Sequence, residues 1–238
     1  MVTVSDALKL VSSLPELTGL RFSGTSFPKD QRVQVARALV GATALTTLTI
    51  WDNLWQGRCV TDRVVETLVS LRGLTRLEIL GRPLVTDLGV QALGRMSSLI
   101  HLGITLPYAQ GITLPYAQVT ESSVHALGSL SSLTHLQLSH SSNVVTDNSI
   151  KSLCGLSALT HLDISDRRRN LDRIAAPRLT HEGIKALSNF SALTYLKASF
   201  SPHLSTESLK ACMRSACSLP ALTHLDLAGA WVKVHFES

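Results

Sequence analysis

The chain has few of the residues that mark secreted, membrane-spanning or disulfide-rich proteins. Its 238 residues include only four cysteines, which are irregularly spaced and form no C-x-x-C pair, so a disulfide framework is not expected. No apolar run approaches the roughly 20 residues that span a bilayer. The first residues lack a basic segment followed by an unbroken apolar stretch, so no secretory signal is predicted. We therefore expect an intracellular, cytoplasmic protein without membrane contact.

Charged and aromatic residues are also scarce. They make up 16% and 5% of the chain, and the net charge of +5 is a mild excess for this length. Nucleic-acid-binding proteins usually concentrate more basic charge on one surface, so nucleic acid is not the expected partner. The sequence contains no G-x-S-x-G, H-E-x-x-H, Walker or G-x-G-x-x-G segment. A protein that is not an enzyme, and that needs no cofactor or metal, is predicted.

The chain does contain one phrase, L-x-x-L-x-(L/I/F), in eight copies that begin 25 to 34 residues apart, with Ala198 in the last place of the seventh. The alternation of apolar residues at the end of each phrase predicts a short strand with one buried face. The copies begin at Leu17, Leu45, Leu74, Leu99, Leu133, Leu159, Leu193 and Leu222.

A second motif lies between the phrases and predicts a short helix. In the segment 60–71, V-T-D is followed by the apolar residues Val65, Leu68 and Leu71 at a spacing of three, which places them on one helix face. The threonine can cap the first N–H groups, and the acidic residue suits the positive end of the helix. Related segments begin at Val85, Val119, Val145 and Leu179. The repeating unit is therefore strand, loop, short helix, loop.

These motifs resemble the leucine-rich-repeat family over essentially the whole chain. The helix motif is similar to the subclass with helical convex sides, such as F-box-type and bacterial T-D-x-G-L repeats. The resemblance implies an α/β solenoid, a horseshoe of about eight repeats with a parallel concave sheet and short convex helices, in a single domain 1–238. One departure is that the asparagine usual after the strand occurs only as Asn53. Backbone groups or the hydroxyls of Ser139, Ser165 and Ser199 are expected to replace its hydrogen bonds.

Two of the spacings are lengthened by insertions. The segment Gly103–Gln110 recurs letter for letter as Gly111–Gln118, which we interpret as a tandem duplication in a loop, where added length costs little closure entropy. The other insertion is rich in arginine. It is interpreted as a solvated loop, with the alternative that it binds an acidic peptide or phosphate. Its arginines are Arg167, Arg168, Arg169, Arg173 and Arg178.

Residues at equivalent places in the phrases should form columns, because parallel strands stack about 4.8 Å apart. Residues between the leucines should point away from the core. The column before the second leucine comprises Gly19, Thr47, Arg76, His101, His135, His161, Tyr195 and His224. The column after it comprises Arg21, Thr49, Glu78, Gly103, Gln137, Asp163, Lys197 and Asp226. A third column comprises Ser23, Trp51, Leu80, Thr105, Ser139, Ser165, Ser199 and Ala228.

The four histidines of the first column leave three interpretations open. They could hold a metal or anion, form a pH-dependent binding face, or reflect the copying of L-T-H-L with rings that stack between strands. A ladder in one plane does not converge as the ligands of zinc do, so no metal is predicted.

The favoured function is a protein-interaction module that binds a partner of unknown identity on the concave face, from the third to the eighth strand. The expected partner-binding residues are Arg76, Glu78, His101, His135, Gln137, His161, Asp163, Tyr195, Lys197, His224 and Asp226. The alternatives are a substrate-recognition or effector component of a larger assembly, and phosphate or nucleic-acid binding through the arginine insertion. By itself the protein is expected to be a monomer.

Overall fold

A computed structural model describes residues 11–23 except 12, 32–52, 60–81, 83–106, 119–139, 144–165, 180–199, and 210–228 except 212, 216 and 217. The five arginines of the insertion, the second copy Gly111–Gln118 and Asn53 lie outside these residues.

Eight strands form one sheet in which all neighbours are parallel and follow chain order. They are β1 Gly19–Ser23, β2 Thr47–Asp52, β3 Arg76–Gly81, β4 His101–Thr105, β5 His135–Ser139, β6 His161–Ile164, β7 Tyr195–Ser199 and β8 His224–Ala228. The predicted register is confirmed, since the first and second columns pair rung by rung from β1 to β8. A slip of one residue would turn the leucines to solvent, which explains why the register is strict.

Short helices connect the strands on the other side of the core. Within the described residues they are α1 Arg32–Val40, α2 Asp62–Leu68, α3 Asp87–Leu93, α4 Glu121–Leu127, α5 Asp147–Leu153 and α6 His181–Leu187. The five helices predicted from the second motif are confirmed. The helix α1 was not predicted because it lacks the V-T-D start. Its inner face is formed by Ala36 and Leu39, which are buried.

The leucines of the strand phrase and the apolar helix residues form one continuous core. The second leucines of β3, β4 and β6, which are Leu77, Leu102 and Leu162, have no exposed surface. Because each repeat packs mainly on its neighbours, the core is an uninterrupted aliphatic spine rather than a central cluster.

A threonine ladder joins the starts of neighbouring strands by hydrogen bonds. The residue before each first-column position donates its hydroxyl to the backbone carbonyl of the equivalent residue one repeat earlier, as Thr75 Oγ1 does to Thr46 O at 3.2 Å. The donors are Thr46, Thr75, Thr134, Thr160, Thr194 and Thr223. Ile100 interrupts the ladder because it has no hydroxyl.

The expected serine contacts were therefore placed at the wrong position. Ser139 Oγ accepts a hydrogen bond from Gln137, and Ser165 Oγ donates to Asp163, so both act within their own repeat. The side chain of Ser199 lies outside the described part of the structure. The hydroxyls that link neighbouring repeats precede the strand rather than follow it.

A second ladder joins the helix starts, and we call it the aspartate–threonine ladder. Asp62 accepts hydrogen bonds from Thr86 N and Thr86 Oγ1, both at 2.7 Å, and from Gly89 N at 3.1 Å. Asp87 bonds Thr120 in the same two-point way, and Asp147 bonds Thr180. These bonds thus tie α2 to α3, α3 to α4 and α5 to α6.

The predicted caps are confirmed only in part. Thr86, Thr146 and Thr180 accept a hydrogen bond from a backbone N–H of their own helix, whereas Thr61 and Thr120 make no such cap bond. Thr120 Oγ1 donates to Asp87 and lies 2.8 Å from Ser122 Oγ. The contact between repeats is compatible with the local cap, because Thr86 and Thr180 make both.

Candidate functional site

The side of the sheet away from the helices carries the first and second columns, and we call its part from β3 to β8 the exposed sheet face. The structure places all eleven expected partner-binding residues on this face. The third column is different from the expectation. Thr105, Ser139 and Ser165 are buried, while Trp51, near the other end of the sheet, is 45% exposed.

Five ring side chains form a continuous stack along the first column. The ring centroids of His101 and His135 are 5.3 Å apart, and those of His135 and His161 are 4.0 Å apart with the planes only 14° from parallel. Tyr195 continues the stack 5.6 Å from His161, and His224 follows it at 6.1 Å. The stack covers five strands, so it presents its ring edges to solvent at a nearly regular interval.

The threonine ladder fixes the orientation of three of these histidines. Thr134 Oγ1 lies 2.7 Å from His135 Nδ1, and Thr160 Oγ1 lies 2.9 Å from His161 Nδ1. Thr223 Oγ1 lies 2.9 Å from His224 Nδ1. The L-T-H-L phrase therefore couples each ring to the residue before it, and through that residue to the preceding repeat.

The direction of these bonds determines which nitrogen carries the proton. A threonine hydroxyl has one hydrogen, and Thr46, Thr75 and Thr194, which precede no histidine, all donate it to the carbonyl of the repeat before. Where a histidine follows, the same bond is kept, so the hydroxyl accepts the Nδ1–H of the ring. In the neutral ring Nε2 then carries the lone pair.

The Nε2 atoms of His135, His161 and His224 accept no hydrogen bond from any residue that the structure describes. These rings are half-buried or exposed. The stack therefore offers a row of hydrogen-bond acceptors to a ligand.

His101 differs because Ile100 precedes it in place of threonine. Its Nε2 is buried and lies 3.3 Å from Glu78 Oε1, without the alignment of a hydrogen bond. Burial lowers the pKa of His101, the Arg76 guanidinium lowers it further, and Glu78 opposes both. His101 thus belongs to a polar cluster at β3 rather than to the row of free acceptors.

Two internal ion pairs flank the centre of the exposed sheet face. Arg76 lies 2.6 Å from Glu78, which also accepts the hydroxyl of Thr49, and Lys197 Nζ lies 2.8 Å from Asp226 Oδ2. Burial acts to raise the pKa of Glu78, but the hydrogen bond and charge of Arg76 outweigh it and hold this pKa below 4.5. The hydrogen bond to Asp226 raises the pKa of Lys197.

A metal site does not arise from this arrangement. Within the described ranges, no three His, Cys, Asp or Glu side chains are grouped to hold an ion. In stacked parallel rings the lone pairs point side by side, whereas zinc ligands converge on one point.

In the described part of the chain, no helix has the length and apolar character that crossing a bilayer requires.

Sequence reasoning found the columns but missed the coupling between them and their neighbours. The relevant signal was present in the threonine that precedes His135, His161 and His224. It was overlooked because a threonine before a strand is common and its partner, a backbone carbonyl, is not visible in a sequence pattern.

Comparisons with known proteins bear on the fold. No family model and no curated protein matches the chain. Internalin C2 from Listeria monocytogenes is similar over 92% of this chain and 74% of its own, with 19% identity and a TM-score of 0.58. The TLR13 structure, a TLR13–ssRNA13 complex, is similar over 94% of this chain at 19% identity and a TM-score of 0.50. This chain spans only 27% of the TLR13 chain.

Both are leucine-rich-repeat proteins, and the chain has the leucine-rich-repeat solenoid fold. At this level of identity the likeness concerns the fold alone.

Proposed function

We propose that this solenoid, as one domain 1–238, is a non-enzymatic module that binds a protein partner on the exposed sheet face. The observation that carries the proposal is the ring stack from His101 to His224 beside the charged residues of the second column. Within the described residues, the Nε2 atoms of His135, His161 and His224 in this stack accept no hydrogen bond. Aromatic side chains, arginine and well-placed polar groups are typical of the energetic centre of protein interfaces. We further propose an intracellular setting and a monomeric free state.

The exposed sheet face is suited to binding because its side chains are held in place before a partner arrives. Each ring contacts the next, and three of the rings are hydrogen-bonded to the threonine ladder. Ordering these side chains on binding would otherwise cost about 0.5–1.5 kcal/mol each.

The experiment replaces the centre of the stack and measures partner capture. The His135→Ala/His161→Ala/Tyr195→Ala triple variant should fold with a stability within about 1 kcal/mol of wild type, since these side chains lie outside the core. It should lose the partners that the wild type retains, as measured by affinity purification with quantitative mass spectrometry. Retention of the same partners by the triple variant would refute the proposal.

A matched control carries three substitutions on exposed helix positions, Arg63→Ala, Gln91→Ala and Lys151→Ala. It removes the same number of side chains from the opposite side of the solenoid. We expect it to capture partners as the wild type does, which separates a specific face from a general loss of surface.

No described residue favours phosphate or nucleic-acid binding over this function, since the five arginines of the insertion lie outside the described ranges. If that alternative held, substituting Arg167, Arg168 and Arg169 would abolish binding to single-stranded RNA. The affinity would also fall steeply with salt.

A further inference from the structure

One carboxylate on the exposed sheet face has no cationic partner. Glu78 is paired with Arg76, and Asp226 with Lys197. Asp163, at the centre of β6, makes no ion pair with any residue that the structure describes. Its Oδ1 accepts the N–H and the hydroxyl of Ser165 at 2.9 and 2.6 Å, which holds the carboxylate in place and leaves Oδ2 free.

The neighbouring cation Lys197 is paired with another carboxylate, and Asp163 acts on it through its charge without forming an ion pair. Lys197 lies beside Asp163 in the register of β6 and β7, but its ammonium lies against Asp226 of β8. Asp163 is half-buried, so its charge is less well solvated than that of a fully exposed carboxylate. A cation from outside the chain would therefore gain from binding here.

The groups around Asp163 are acceptors rather than donors. Gln137, its register partner on β5, uses its side-chain N–H on Ser139, which leaves Oε1 free. His161 lies two residues earlier on the same face of β6, and His135 stacks on it at 4.0 Å. Their Nδ1 atoms contact threonine hydroxyls that donate to backbone carbonyls, and in the tautomer that satisfies both contacts the Nε2 lone pair is unused.

We infer that the protein partner inserts an arginine side chain at Asp163, over β5 and β6. A guanidinium is planar, carries five donors, pairs with a carboxylate through two parallel bonds and stacks on flat rings. It matches the free Oδ2 of Asp163, the Oε1 of Gln137 and the Nε2 row. A lysine has a single charged point and cannot stack in this way. A phosphate or acidic side chain would meet a carboxylate and lone pairs. This inference rests on the proposed function, because it names the chemistry of the partner at the same face.

The test uses a small probe, so that it does not depend on finding the partner. N-acetyl-arginine amide is titrated into the full chain at pH 7.5, and the histidine side-chain nitrogens are followed by NMR. We expect saturable shifts at His161 and His135, with affinity at least tenfold weaker for the neutral citrulline analogue. N-acetyl-glutamate amide should cause no saturable shift.

Two variants locate the effect. Asp163→Asn keeps the shape of the side chain but removes the charge, and it should reduce probe affinity at least tenfold. Glu66→Gln removes one negative charge from an exposed position on α2 and should leave the affinity unchanged within twofold. Thermal unfolding of each variant checks that the fold is intact.

Equal responses to the arginine and citrulline probes, or full binding by Asp163→Asn, would overturn the inference. A response that appears only after Arg167, Arg168 and Arg169 are changed to glutamine would also overturn it, because the chain itself would then fill the site. These results are distinct from failure of the proposed function, which is decided by partner capture with the ring-stack triple variant.

Discussion

The two sides of this solenoid carry one polar ladder each, and the ladders end in different states. On the helix side, both carboxylate oxygens of each aspartate in the aspartate–threonine ladder accept hydrogen bonds from the next repeat. Asp87, for example, accepts from the N–H and the hydroxyl of Thr120. On the exposed sheet face, each histidine that follows a threonine uses Nδ1 in a hydrogen bond to that threonine and leaves Nε2 open, as His161 does.

The aspartate–threonine ladder is therefore a structural ladder, whereas the row of histidines with an open Nε2 is a binding ladder. A polar group whose bonds are all made inside the molecule stabilises the fold and has little to offer a ligand. A group that is oriented by one internal bond and free at its other end is prepared for binding. The same period of one residue per repeat therefore serves two purposes.

The largest effect is expected from a substitution in the core, which would unfold the chain and so remove both ladders together. Leu162 lies in the spine between them and has no exposed surface. Leu162→Asp places an unpaired charge there and should abolish folding. Circular dichroism should show loss of the helix signal. Leu162→Met, which nearly conserves volume, should keep the fold, and a folded Leu162→Asp protein would contradict the continuous spine.

The next effect breaks the structural ladder alone. Asp62→Ala removes three hydrogen bonds to a carboxylate and should lower the free energy of unfolding by roughly 2–3 kcal/mol. Urea denaturation measures the change. Glu66→Ala, on an exposed position of the same helix, should stay within about 0.5 kcal/mol of wild type. If the two variants are equally stable, the aspartate–threonine ladder has no structural role.

A smaller effect distinguishes the binding ladder by its response to pH. Burial lowers the pKa of both His101 and His135; the charge of Arg76 adds to this for His101, and that of His161 adds for His135. Because these pKa values are lower folded than the unfolded value near 6.5, the unfolded chain binds more protons as the pH falls. The stability from the neutral rings is therefore fully present above about pH 6.5, and it is lost as the pH falls through the folded pKa values.

The melting temperature should accordingly be lower at pH 5.5 than at pH 7.5. Glu78, with its pKa held below 4.5, remains ionised over this range. His135→Gln keeps a polar side chain without a titrating ring and should reduce the difference between the two pH values. A larger difference in this variant would contradict the assignment.

The smallest expected effect repairs a gap in the structural ladder. Glu121 stands where α2, α3 and α5 have aspartate. Its Oε1 lies 3.8 Å from His125, and Thr146 bonds Ser149 instead. Glu121→Asp should allow the two-point bond to Thr146 and stabilise the chain by about 0.5–1 kcal/mol. The urea midpoint measures this. Glu66→Asp serves as the control. A destabilised Glu121→Asp variant would show that the longer side chain of glutamate is not the reason why the bond to Thr146 is missing.

Much of the fold was predictable because it depends on apolar periodicity. The eight strands, the five helices of the second motif and the register of both outer columns follow from which residues must be buried together. The helix α1 was not predicted because it lacks the usual V-T-D start, although Ala36 and Leu39 on its inner face are buried. The exposure of the third column was also misjudged. Thr105, Ser139 and Ser165 alternate as outward residues should, yet they are buried.

The candidate site was predictable as a set of positions but not as a set of interactions. Sequence alone placed His135 beside His161 and Asp163 beside Lys197. It could not show that Lys197 turns to Asp226, or that Glu78 is taken up by Arg76. Lys197 has a carboxylate on each neighbouring strand, and Glu78 has both Arg76 and His101 nearby, so side-chain geometry decides each pairing.

The sequence by itself determined the stacking of the repeats, because leucines that recur with a strict strand alternation leave only one register in which all are buried. Only the tertiary structure decided which polar groups are satisfied and which remain open. The partner of Asp62 is 24 residues away in the next helix start, whereas Asp163 bonds Ser165 of its own repeat and makes no ion pair with any described residue. Burial acts on every apolar residue alike, whereas a hydrogen bond or ion pair requires particular atoms within about 3 Å and correctly aligned.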